Sequence, residues 1–64
     1  MNNIIATETI NGEHYHVYSY VGAATENVAG QIIPIPTQIY KKDDSFYFEH
    51  NGSLVKITSK INPN

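Results

Sequence analysis

Residues Ser45-Phe46-Tyr47-Phe48-Glu49-His50-Asn51-Gly52-Ser53-Leu54-Val55-Lys56-Ile57 decide the fold. Asn-Gly between alternating runs is the strongest short-range hairpin signal, because a type I′ turn puts both central residues at positive φ. A two-residue turn at Asn51-Gly52 sets His50 opposite Ser53, Glu49 opposite Leu54, Phe48 opposite Val55, Tyr47 opposite Lys56 and Phe46 opposite Ile57. One face then carries Phe46, Phe48, Val55 and Ile57, and the other Ser45, Tyr47, Glu49, Leu54, Lys56 and Thr58. That alternation is what a half-buried antiparallel pair requires, with Phe46 and Phe48 as core anchors.

The same signal recurs upstream at Asn11-Gly12, pairing residues 3–10 with 13–21. Both hairpins are filled with Val, Ile, Thr, Tyr and Phe, which are β formers. One face of this first hairpin carries Ile4, Ala6, Glu8, Ile10, Tyr15 and Val17, with Val21 joining it; it is read as the core face. The other carries Ile5, Thr7, Thr9, His14, His16, Tyr18 and Tyr20, an aromatic and neutral surface expected to be used for recognition.

Between the hairpins, residues 23–29 admit either one or two helical turns closed by Gly30 or an irregular loop. Residues 31–40 read as one extended strand. Pro34 and Pro36 remove donors from one side of it only, which places it at a sheet edge. Lys41-Lys42-Asp43-Asp44 makes a polar turn into the second hairpin. The sum is one small all-β domain over residues 1–64, a five-stranded antiparallel sheet or an SH3-like barrel built from the two Asn-Gly hairpins.

Composition excludes several functions. The chain has 64 residues, a formal charge of −2, four Lys, no Arg, no Cys and no Trp. A basic nucleic-acid binder, a zinc finger and a disulfide-stapled scaffold are therefore disfavoured. Charged residues are 16% of the chain, against about 25% in ordinary domains, and a weakly charged surface favours association. The start of the chain, Met1 to Ala6, lacks the basic and apolar regions of a signal peptide, and no apolar run is long enough to cross a membrane. The expected location is the cytoplasm.

Chemistry-bearing constellations are few. His14 and His16 share a strand face about 7 Å apart, within reach of one metal ion. Their cross-strand neighbours Thr9 and Thr7 are poor third ligands, so no metal and no cofactor is assigned. Asp43-Asp44 are adjacent in a turn and diverge. The serines show no nucleophile elbow, and Gly22 and Gly30 build no phosphate loop. A barrel this small is also expected to lack volume for a buried substrate cleft of several hundred Å3, so no enzyme is expected.

What remains is surface recognition. The chain reads as a binding module that docks on another protein, as adaptor or inhibitor, through its neutral aromatic strand face. Tyr18 and Tyr20 are the first candidate anchors and His16 and Tyr47 the next, with Ile32 to Pro36 as an apolar patch beside them. The alternatives are a homo-oligomeric structural protein, beginning with a homodimer that completes a marginal core, and a small-ligand or carbohydrate binder using the tyrosine stripe.

Overall fold

The computed structural model describes residues 4–61, which form seven strands and no helix. β1 (Ile4–Ile10), β2 (Glu13–Ser19), β5 (Gln38–Lys42), β6 (Ser45–His50) and β7 (Ser53–Lys56) make one antiparallel sheet in the order β1-β2-β5-β6-β7. β3 (Thr25–Val28) and β4 (Gln31–Pro34) form a separate two-stranded ribbon. The sheet stays open: of the two architectures the sequence allowed, the chain adopts the five-stranded sheet and not the closed barrel.

The second hairpin has the register its sequence dictates, from His50↔Ser53 through Tyr47↔Lys56, and the Ile57 N–H donates to the Phe46 carbonyl at 2.8 Å. Asn51 and Gly52 lie at φ 54° and 79°, and Asn11 and Gly12 at 51° and 80°, as type I′ turns demand. The first hairpin keeps its predicted register from Ile10↔Glu13 to Ala6↔Val17. A β-bulge then pairs Ile4 with Tyr18, leaving Ile5 unopposed.

Residues 23–29 contain no helical turn. Thr25–Val28 pair with Gln31–Pro34 around a third two-residue turn, Ala29-Gly30, at φ 53° and 85°. Predicted as one strand, residues 31–40 divide into β4 and β5. The chain leaves the ribbon at Ile35 and enters the sheet at Gln38. The Ile35 N–H donates to the Ala24 carbonyl, so alternate residues such as Pro34 face away from β3, where no donor is needed.

The ribbon covers one face of the sheet, and the core lies between them. Tyr18, Tyr20, Ile35, Ile39, Phe48 and Ile57 are its buried members, with Phe46, Val55, Val28, Ile33 and Ile61 packed around them. The expectation for the first hairpin is thus inverted for its tyrosines. Its Tyr18 and Tyr20 rings meet the core under the ribbon; of the face read as core, Ala6 and Val21 are exposed and Tyr15 half-exposed, and only Val17, at 1%, is fully buried, on the side away from the ribbon. The reason is topological: the ribbon that follows β2 packs onto the face carrying Phe48 and Ile57, and Tyr18 and Tyr20 share that face through β5.

One acidic side chain is part of this closure. Glu26 points inward from β3 and is buried. Its carboxylate accepts the Thr58 and Ser59 N–H groups at 3.0 and 3.1 Å and the Thr58 hydroxyl at 2.5 Å. The Ser59 hydroxyl donates to the Thr25 carbonyl at 2.6 Å. These bonds tie the segment after β7 to the ribbon. The Thr58 hydroxyl foremost, with the two N–H groups, holds the Glu26 carboxyl below its ordinary range against the opposing effect of burial.

Candidate functional site

The sheet face turned away from the ribbon carries a second aromatic cluster. Strand parity puts Tyr15 and Val17 of β2, Tyr40 of β5 and Tyr47 of β6 on it, with Val17 opposite Tyr40 and Tyr40 opposite Tyr47. Tyr15 meets Tyr40 edge-on at a centroid distance of 6.3 Å and Tyr47 at 5.8 Å. Such T-shaped pairs set the positive edge of one ring against the negative face of the next. Val17 and Tyr40 are buried beneath the cluster, while Tyr15 and Tyr47 are half-exposed. The Tyr40 hydroxyl accepts from the Gln38 amide at 3.1 Å, which fixes its ring.

A cleft of ≈ 490 Å3 opens on this face, floored by Tyr15 and Tyr40. One wall is Glu8, Ile10 and Asn11 at the end of β1; the other is Glu49 of β6 with Gly52, Ser53 and Leu54 of the second turn and β7. By register, Asn11-Gly12 and Asn51-Gly52 sit at opposite ends of the sheet and on its opposite outer hairpins. They are diagonal corners. The twist between neighbouring strands, about 20–25° each, accumulates across five strands and brings those corners to the two sides of one cleft. The length of the chain argues against a buried cleft of this volume, and this one is not buried. It exists because the sheet coils around it, leaving it open to solvent instead of enclosed.

The electrostatics of the cleft are one-sided. Glu8 on one wall and Glu49 on the other are both exposed, and no Lys or His lines it. Lys42, on the same face, is engaged by Glu13 at 3.1 Å and Asp43 at 3.6 Å. The hydrogen bond and charge of Glu13 raise its pKa above the ordinary 10.5.

The residues singled out from the sequence are not brought together. Tyr18 and Tyr20 are each 6% exposed and belong to the core, so they cannot anchor a partner on the folded protein. His16 is exposed, but it faces the ribbon side of the sheet; Tyr47 lies on the opposite side, in the aromatic cluster. The Ile32–Pro36 stretch covers Tyr18 and Tyr20 instead of lying beside them: Ile33 and Ile35 turn inward, and Ile32, Pro34 and Pro36 outward. The His14 Nδ1 lies 3.0 Å from the Thr9 hydroxyl, and among the described residues no three His, Asp or Glu side chains gather as metal ligands. Also among these residues, no helix is long and apolar enough to cross a membrane. Tyr15, Tyr40 and Glu8 were not singled out. Period-2 alternation groups Glu8 with Tyr15 but assigns both to a core face.

Compared with known protein families, curated proteins and solved structures, the chain matches none at a significant level.

Proposed function

We propose that the chain is a non-enzymatic binding module that docks on another protein, with the Tyr15–Tyr40–Tyr47 face as its contact surface. The observation that carries this reading is the open cleft floored by tyrosines and walled by both Asn-Gly turns. Tyrosine supplies large contact area with few rotatable bonds, and Tyr15, half-exposed in the cleft, with Tyr47, half-exposed beside it, suits a hot-spot anchor. Catalysis by the two carboxylates is disfavoured by their exposure, since a carboxyl pair divides acid and base roles where the surroundings of its members differ, and both of these face solvent. Tyr47 is retained from the sequence as an anchor, and Tyr15 joins it.

The test is capture of a partner from source-cell lysate with wild-type, Tyr47→Val and His16→Ala baits, each shown folded by circular dichroism. Valine keeps the strand and removes the ring. A stoichiometric protein retained by wild type and His16→Ala but lost with Tyr47→Val supports docking through this face. Capture that ignores Tyr47, or depends on His16 alone, overturns it.

A second reading, self-association, is favoured by β1, the edge of the sheet among the described residues, where Ile4 and Ile5 are 53% and 56% exposed. A melting temperature that rises with protein concentration supports it. A concentration-independent melt removes it. Carbohydrate binding on the same tyrosines predicts saturable, salt-insensitive binding of a soluble glycan.

A further inference from the structure

The tyrosine-floored cleft has a chemical preference. Its two walls come from strands that are not neighbours, and each contributes one carboxylate, Glu8 from β1 and Glu49 from β6. Among the described residues neither has a cation within 4.0 Å: the ion pairs are those of Lys42 with Glu13 and Asp43. Lys56 is the other lysine on this face, opposite Tyr47, and it lines no part of the cleft. Two uncompensated negative groups flanking an aromatic floor focus a negative potential into the concavity.

We propose that this cleft seats a lysine or arginine side chain presented by the protein partner. The inference rests on the reading of this face as the docking surface. The aliphatic stem of such a side chain packs on Tyr15 and Leu54, its charge lies against the tyrosine π-systems, and Glu8 and Glu49 accept its N–H donors from either side. A carboxylate-bearing or phosphorylated partner would be repelled by the same pair. A wholly apolar anchor would leave both glutamates unused.

The probes are three blocked heptapeptides that differ only at the central residue: arginine, lysine or the uncharged citrulline. Binding is read at low salt from the backbone amide resonances of the full chain. The charged peptides are expected to shift Tyr15, Tyr40 and Ser53 at millimolar concentration, and the citrulline peptide to leave them in place. Glu8→Gln and Glu49→Gln, both at exposed positions, are each expected to weaken binding about 3- to 10-fold, the loss of one charge-assisted hydrogen bond. Asp44→Asn removes the same unit of charge outside the cleft and is expected to change nothing. Equal binding of citrulline, equal loss with Asp44→Asn, shifts confined to other surfaces, or no shift with any peptide overturns the proposal. The two readings separate cleanly. A partner lost with Tyr47→Val but indifferent to Glu8→Gln and Glu49→Gln leaves docking standing and removes the cation. A peptide seated in the cleft without any Tyr47-dependent partner leaves the cation site and removes the docking.

Discussion

The Glu26 carboxylate holds the backbone N–H and the hydroxyl of Thr58, 32 residues further along the chain. This clamp has a pH signature. The folded-state pKa of Glu26 is lowered from its ordinary 4.5, so the carboxylate binds fewer protons folded than unfolded. Its stabilisation is fully present above that ordinary value and is lost as pH falls through the lowered folded value. Urea midpoints measured from neutral pH downward should therefore fall below about pH 4.5. Glu26→Gln should lower the midpoint at pH 7 and converge with wild type in acid. A gap between the two proteins that stays constant with pH would assign the clamp no ionic character.

Gly22 is required by a close approach and not by its backbone angle. A Cβ placed there would lie 2.3 Å from the Tyr20 hydroxyl oxygen and 2.5 Å from its Cζ. The Tyr20 ring is buried and rigid, so it cannot swing away without opening the core. Gly22→Ala should cost about 1–3 kcal/mol, the range of overpacked cores. Tyr20→Phe in the same background should recover part of that loss, because it deletes the oxygen that clashes first. No recovery would place the strain elsewhere.

Ala29 occupies the left-handed region at φ 53°, where its Cβ is unfavourable. Ala29→Asn converts the ribbon turn into a third Asn-Gly and should stabilise the protein by about 0.5–1 kcal/mol. The expected signature is a raised urea midpoint at unchanged m-value. A lowered midpoint would mean that the ribbon turn tolerates alanine for a reason outside its backbone geometry.

Tyr18 and Tyr47 should separate core from surface. Tyr18→Ala empties a core position that also holds an edge-on contact with Phe46 at 6.0 Å. The expected loss, about 3–5 kcal/mol, equals the whole stability available to a domain of this size, so the variant should be largely unfolded. Tyr47→Val should lose about 1–2 kcal/mol and keep its circular dichroism spectrum. A folded Tyr18→Ala would return Tyr18 to the surface.

What was legible in the sequence was local. Asn11-Gly12 and Asn51-Gly52 announced their hairpins because a type I′ turn has a residue signature, and the period-2 alternation of Phe46 to Ile57 set register and core face together. Ala29-Gly30 carries no such signature, so nothing local marks the ribbon between the hairpins. Without the ribbon the two faces of the first hairpin cannot be ranked. Both of its faces are partly apolar, and only the position of the ribbon decides that Tyr18 and Tyr20 go inward while Tyr15 stays out. Glu26 was equally hidden: its partners Thr58 and Ser59 are ordinary polar residues, and no short-range pattern links them to it. The cleft was illegible for the same reason at larger scale. Glu8 and Leu54 meet across it through curvature that no stretch of either hairpin encodes alone.

Because its walls are the far corners of one twisted sheet, the cleft works like a pair of calipers whose span is set at the hinge. Ile39 and Phe48 pack on the other face of the same sheet, and a change of coil there would be felt most at the far corners. Selection for a given ligand would therefore leave its mark in the buried layer as much as in the residues that touch the ligand. A thinner or thicker side chain beneath β5 would change the span of the cleft without altering a single lining group.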